Sequence, residues 1–516
     1  MTQAAPGFEA PPEADRSTRS GTTEASPAAD WAARAARVSP RELLFIDGDW
    51  TPARSGAVRA SVNPATGAVL ARVASAGVED VDAAVAAARA AFRRGDWSRS
   101  APADRKRVLL RLAYLIDAHA EELALLDSLD AGKLITETTS VDVPGTAATF
   151  RWYGEALDKV YGQVAPTGPG DLALVTREPL GVVAAIVPWN YPLEIAAWKL
   201  APALACGNSV VLKPAEESPL SALRLAELAL EAGLPAGVLN VVPGPGPVVG
   251  QALGRHLDVD AIAFTGSTAV GRLLQVYAGE SNMKQVWLEA GGKSPDLVFA
   301  DTADLDAAAA GAVQGIFTNA GQVCSATSRL LVERSIKDAL LDRVVALAEE
   351  IVVGDPLDPA TGMGPLVSEK QVRTVLEHVE AARGSARLAL GGERLDREGC
   401  FVAPTIFDDV PRGSRLDREE VFGPVLGVFA FDDEDDAVAT ANASDYGLAA
   451  SVWTDNLSRA HRVAGRLRAG TVSVNNIDAL DATTPFGGFG LSGNARDLSL
   501  HALDAYSALK TTWIRY

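Results

Sequence analysis

Apolar residues recur at spacings of three and four over residues 81–92 and 105–126. That period predicts two amphipathic helices early in the chain. From residue 181 the pattern changes. Short apolar runs at 181–187, 209–212, 238–242 and 261–264 are bounded by Pro or Gly and separated by helical-looking segments. Strands alternating with helices at this interval predict βαβ units and a parallel sheet buried on both faces. A second alternating set begins at 297–299 and continues through 329–333, 426–431 and 471–474. The fold class is therefore α/β, with two doubly wound domains meeting near residues 289–293. No repeat of solenoid period is present.

Composition narrows this reading. The 516 residues are 48% hydrophobic and 22% charged, as in soluble globular proteins, and long enough for two or three domains. Residues 1–40 hold almost no large apolar side chain before Trp31, which predicts a disordered tail; ordered chain is expected from Leu43-Leu44-Phe45-Ile46. The net charge of −19 argues against nucleic acid and anionic membranes as main partners. No apolar stretch reaches the roughly 18 residues that span a bilayer, and no charged segment with an apolar run opens the chain. The three cysteines, Cys206, Cys324 and Cys400, are too few for a disulfide framework and indicate a reducing, cytoplasmic setting.

Several segments carry candidate chemistry. Cys324 follows Asn319-Ala320-Gly321-Gln322-Val323, a loop-forming sequence that exposes a thiol. A thiolate attacks carbonyl carbon readily, although a lone cysteine is more often a buried structural residue. Glu289, between an apolar run and Gly291-Gly292, suits a partly buried carboxylate with a raised pKa and general-base character, or an ordinary strand-end acid. Asn190 follows Pro188-Trp189 at a predicted strand end, where its amide can donate to an oxyanion or close an Asx-turn. Lys213-Pro214-Ala215-Glu216 follows the next strand. Lys213 and Glu216 can clamp ribose hydroxyls, with Glu216 repelling a 2′-phosphate, or can form a surface pair. Phe264-Thr265-Gly266-Ser267 leads into a helix N-terminus that can hold a pyrophosphate, but it is neither a P-loop nor GxGxxG. The five histidines lack metal-ligand spacing, so no metal is expected.

In this order the segments resemble the aldehyde dehydrogenase superfamily. Glu419-Glu420-Val421-Phe422-Gly423-Pro424-Val425 and Pro485-Phe486-Gly487-Gly488 extend the match, which runs from about residue 44 to the C-terminus. The resemblance implies an aldehyde dehydrogenase-like fold with an NAD-binding domain at 41–159 and 178–289 and a catalytic domain at 290–490. It adds an oligomerisation β-flap from 160–177 and 498–516, and hence a homo-oligomer, tetramer or dimer. It implies Cys324 as nucleophile, Glu289 as general base, and Asn190 with the Cys324 N–H as oxyanion hole. NAD, in preference to NADP, would be held by Trp189, Lys213, Glu216, Gly266, Ser267, Glu420 and Phe422.

A finer resemblance is to the branch acting on γ-glutamyl-γ-aminobutyraldehyde in putrescine breakdown. Arg151-Trp152-Tyr153, Glu280-Ser281-Asn282-Met283-Lys284 and Leu509-Lys510-Thr511-Thr512-Trp513-Ile514 carry it. The pocket residues expected are Tyr191, Glu194, Ile195, Trp198, Val323 and the 477–484 loop. There Asp478 and Asp481, or Glu194, attract an amine-bearing substrate or are simply solvated acids. Relatives usually have Lys where Gly490 stands, and Gly where Ala495 stands. The alternatives are a betaine or other ω-aminoaldehyde dehydrogenase, a cofactor-free thiol esterase, and a catalytically silent protein on the same fold.

Overall fold

The run Val182–Ile186 alternates between two cores. Val183 and Ala185 pack with the helices Pro192–Ala205 and Pro102–Ala118, whereas Val182, Ala184 and Ile186 pack with Val78–Arg94 on the other face. In the computed structural model, which describes residues 27–516, this strand lies inside a seven-stranded sheet. On one side follow Ser209–Lys213, Leu239–Val241, Leu44–Ile46 and Asp49–Thr51; on the other, Ala261–Gly266 and Gln285–Ala290. The five strands from 182 to 290 are parallel, and the two N-terminal ones are antiparallel to their neighbours. Chain order reverses between Val182–Ile186 and Ala261–Gly266. The crevice beyond the carboxyl ends at such a reversal is where a doubly wound sheet accepts a ligand.

After Ala290 the chain passes through Gly291-Gly292 into Pro295–Val298 and a second seven-stranded sheet. All its strands are parallel except the edge strand Arg387–Leu390. This sheet has its own core, built on Phe299, Phe407, Phe429 and Phe431. A third sheet joins Gln163–Ala165, Asp171–Pro179 and Ser507–Arg515 in antiparallel register.

Two sequence expectations change. The tail expected to reach residue 40 includes the helix Pro27–Ala35. Trp31, Ala35 and Val38 pack on the first core, and Arg34 pairs with Asp30 and Glu121, contacts that offset the poor local composition. Residues 1–26 of that expected tail lie outside the described residues. The single helix expected over 105–126 is two, Pro102–Ala118 and Ala120–Ala131, meeting at His119 (φ −110°). The first buries one face. The second is buried at every residue from Leu123 to Ala131, so the chain must turn inward between them. No helix among the described residues is long and apolar enough to cross a membrane.

Candidate active site

The segment before Cys324 explains how the thiol is presented. The helix Leu305–Phe317 ends in three consecutive left-handed residues: Asn319 (φ 49°), Ala320 (φ 53°) and Gly321 (φ 72°). Non-glycine residues in this region store strain of about 1–3 kcal/mol each, so the surroundings must hold the loop. They do so through buried amides. Gln322 Nε2 donates to Asn319 O (3.1 Å), and its Oε1 accepts from Val367 N (2.9 Å). Asn319 Nδ2 donates to Asn190 O (3.0 Å), and Asn190 Nδ2 donates to Gln322 O (2.8 Å). Gly321 admits no substitute, because a Cβ there would stand 2.1 Å from Gly423 O. The Asn190 amide and the Cys324 loop are thus tied together across the two sheets.

Cys324 lies in the wall of a cleft of about 590 Å³ at the chain-order reversal. Trp189, Asn190, Lys213, Glu216, Gly266, Ser267, Glu420 and Phe422 line the same cleft, so every cofactor residue expected from sequence converges there. Ser267 is the N-cap of the helix Thr268–Gly279, its Oγ accepting from Val270 N (3.4 Å). Lys213 is buried, and its Nζ donates to Pro214 O (2.9 Å). Burial pushes this ammonium down to about 8, against the opposing charges of Glu216 and Glu217. Glu420 Oε1 accepts from Gly292 N (3.0 Å), and burial pushes its carboxyl up to about 7. Its Oε2 occupies the space a Cβ on Gly291 would need, 1.9 Å away. Phe422, held at φ 54°, meets Trp189 edge-on with ring centroids 5.2 Å apart.

Glu289 does not line the cleft; it is 1% exposed, and neither carboxylate oxygen has a hydrogen-bond partner. Burial first, and then the charge of Asp497, hold its pKa well above the carboxylate range, opposed by Lys199 and Arg496. Lys199 and Asp497 form a buried ion pair (2.5 Å) that sequence reasoning missed. Glu289 also contributes to raising the Cys324 thiol, which burial chiefly holds high, with Asp478 and Glu420 adding to it. The nucleophile is therefore neutral at rest. Iodoacetamide should label Cys324 at a rate that climbs about tenfold per pH unit through neutrality and keeps climbing past the ordinary thiol range. A plateau by about pH 8, read by mass spectrometry of the Cys324 peptide, would contradict this environment. Cys206 and Cys400, each pushed up to about 12 by burial, should climb in the same way and provide internal comparisons outside the cleft.

The expected pocket residues divide. Tyr191 stacks beneath the Lys133 ammonium, 3.3 Å from its ring centroid, and Lys133 pairs with buried Asp142 (3.2 Å). Glu194 is pushed up to about 8 by burial and then by Asp142. Ile195 lines the cleft, and Trp198 packs edge-on against Phe486 (5.3 Å). Val323 is half-buried beside the thiol. Asp478, at φ 47°, is near enough to act electrostatically on Cys324, Tyr191 and Glu194. Asp481 is not part of this group. Its exposed carboxylate accepts from Thr483 N (2.8 Å) and Thr483 Oγ1 (2.6 Å), closing a local turn. Lys133 and Arg59 were not anticipated, because Tyr191 and Glu216, which they meet, are remote in sequence; Asp142 is near Lys133 in the chain but sits in no recognisable motif. The Gly244-Pro245-Gly246-Pro247 stretch did offer a signal: it follows a strand end, and Gly246 lines the cleft.

Comparison with known proteins agrees with this geometry. The aldehyde dehydrogenase family model matches residues 50–512. The chain is 54% identical over 484 residues to the NADP/NAD-dependent aldehyde dehydrogenase PuuC of Escherichia coli (strain K12), covering 94% of this chain and 98% of that one. The γ-glutamyl-γ-aminobutyraldehyde dehydrogenase of Burkholderia cenocepacia J2315 superposes with TM-score 0.93 at 55% identity. The P. syringae indole-3-acetaldehyde dehydrogenase AldA, solved with NAD+ and IAA, superposes with TM-score 0.94, also at 55% identity. Each superposition covers 95% of this chain and 99% of the other. With this match along nearly its whole length, the chain belongs to the aldehyde dehydrogenase family.

Proposed function

We propose that the chain oxidises an aldehyde to its carboxylate with NAD, through covalent adducts on Cys324, and that its substrate is γ-glutamyl-γ-aminobutyraldehyde in putrescine breakdown. The carrying observation is the placement of the Cys324 thiol in the wall of a dinucleotide-sized cleft, with the Asn190 amide tied to its loop and the buried Glu289 close enough to shift its pKa. The residues present fit the cofactor. Lys213 and Glu216 flank the ribose end, the Ser267 helix terminus suits a pyrophosphate, and Glu420 suits the second ribose beside Phe422. When bound, the nicotinamide supplies the two-electron acceptor that converts the first adduct into a thioester.

The protein's own groups perform the rest. Cys324 Sγ releases its proton to water in the cleft and bonds to the carbonyl carbon, whose π pair moves onto oxygen to give a thiohemiacetal alkoxide. One Asn190 amide hydrogen is committed to Gln322 O, which fixes the amide plane; the other is free to meet the oxyanion with the Cys324 N–H. Such a donor is worth about 3 kcal/mol in the transition state. Glu289 then takes a proton from water as the water oxygen bonds to the thioester carbon. The C–S bond breaks, the acid leaves, and Cys324 is restored. Burial without hydrogen-bond partners makes Glu289 a stronger base than a solvated glutamate.

Supporting the γ-glutamyl aldehyde are the likeness to the Burkholderia enzyme and the polar cluster of Glu194, Asp142 and Lys133 around Tyr191. The same acids favour free ω-aminoaldehydes as the second reading. NADH formation with γ-glutamyl-aminobutyraldehyde, aminobutyraldehyde, betaine aldehyde, indole-3-acetaldehyde and propanal separates the two. We expect a kcat/KM lead of about tenfold or more for the γ-glutamyl compound. A lead for another aldehyde would sink the pathway assignment while keeping the chemistry. We further assign the third sheet to subunit contact, giving a dimer or tetramer, because Val164, Leu509 and Trp513 on it are each about two-thirds exposed. Three free cysteines accord with a cytoplasmic setting.

A further inference from the structure

The Glu289 carboxylate has nothing of its own to hold it. Neither oxygen has a hydrogen-bond partner, so its direction is set by its backbone and by packing alone. That backbone belongs to Gln285–Ala290, which ends the seven-stranded sheet and pairs within it only with Ala261–Gly266. The outer edge of such a strand leaves N–H and C=O groups without a ladder partner.

Residues 492–495 take up those groups. Asn494 Oδ1 accepts from Leu288 N (2.8 Å), and Asn494 Nδ2 donates to Val286 O (3.2 Å). The backbone N–H groups of Asn494 and Ala495 both donate to Leu288 O (2.9 Å each). Ser492 Oγ donates to Gly291 O (2.8 Å) and accepts from Gly447 N (3.0 Å). Gly493, at φ 106°, forms an isolated antiparallel bridge with Glu289, and a Cβ on it would stand 2.1 Å from Leu288 O. The strand is thus gripped on both sides of Glu289. Asn494 is the side chain that reaches both Val286 and Leu288, and it uses the paired donor and acceptor of a carboxamide to do so. The segment runs on into Arg496 and Asp497, whose charges act on Glu289.

We propose that Asn494 is a positioning residue for thioester hydrolysis: its amide clamps the edge strand, so that the unpartnered Glu289 carboxylate stays where water must be activated. This builds on the reading of Glu289 as the base for deacylation. Thiol addition does not use the clamp, since Cys324 and Asn190 are held by the separate amide network of Asn319 and Gln322. Misplacing a catalytic group by about 1 Å can cost about a hundredfold in rate, so a small shift of the strand is enough. Asn494 is itself exposed, so its replacement removes no buried packing.

A single turnover of the full chain with NAD and limiting propanal separates the two half-reactions. The intact mass of quenched samples follows the acyl group on Cys324 as it forms and decays. In Asn494→Ala, formation should stay within about twofold of wild type, whereas decay should slow about tenfold. Asn494→Asp keeps the acceptor for Leu288 N and loses the donor to Val286 O, so its decay should fall between. A side chain that only stabilises the fold would lower the thermal midpoint and slow both steps together; that result overturns the proposal, as does unchanged decay. Glu289→Gln is measured alongside. If its acyl group decays as in wild type, Glu289 is not the deacylation base, and the proposal falls with that reading. If its decay slows while that of Asn494→Ala does not, the base assignment stands and the clamp alone is overturned.

Discussion

Cys324→Ala should lower aldehyde-dependent NADH formation by about four to six orders of magnitude, the scale seen when a covalent nucleophile is removed. It should leave NAD binding in place. The thiol is half-buried in the cleft wall, so alanine removes one reacting atom and little packing. The strained residues are upstream, at Asn319 to Gly321, and are held by Gln322, Asn190 and Asn319 amides that the substitution does not touch. Trp189 lines the cleft, so quenching of its fluorescence by NAD reports binding directly. Turnover retained in the variant would remove Cys324 from the mechanism. Loss of NAD binding together with turnover would mean that the residue holds the fold of the cleft, and the kinetic loss could then not be assigned to chemistry. Esterase activity, if the enzyme has any, should vanish in parallel.

Glu289→Gln is the second large effect, and its signature differs. Thioester formation uses Cys324 and Asn190; hydrolysis needs a base for water. The variant should give a burst of about one NADH per active site and then a steady rate reduced by about 10²–10⁴, the usual range for a positioned general base. Quenched samples should carry an acyl group on Cys324 by intact mass. Stability should not fall. Both oxygens of Glu289 are buried without partners, and replacing such a group by its neutral isostere removes a desolvation penalty. A thermal midpoint at or above the wild-type value, with a burst, isolates the deacylation role. A steady rate lost without any burst would place Glu289 earlier, in activating the thiol.

Much of this was legible in the residues themselves. The alternation that predicted two parallel sheets is local: Val182–Ile186, Ser209–Lys213 and Ala261–Gly266 are apolar because both faces are covered, and each ends in Pro, Gly or a polar turn. The reactive types at those ends, Asn190, Lys213 and Ser267, were visible for the same reason, since strand ends are where a doubly wound sheet places its ligand residues. The strands Thr405–Asp408 and Ala449–Trp453 escaped notice. The first is bounded by Thr405 and Asp408 and the second opens on two alanines and holds Ser451, so neither reads as a continuous apolar run, and pairing with Val425–Phe431 and Pro295–Val298 makes each a strand.

What the tertiary structure alone decided are relations between distant residues. The Lys199–Asp497 pair beside Glu289 joins positions 298 apart, and Arg59 reaches Glu216 across 157. Asp478 and Asp481 look alike in the chain. One lies near enough to the nucleophile to act on it, while the other closes its own turn. Period, capping and turn chemistry act over a few residues and are written in the sequence. A carboxylate's pKa, a guanidinium's partner and a thiol's access to a cleft depend on which segments burial brings together, and that is set by the packing of the whole chain.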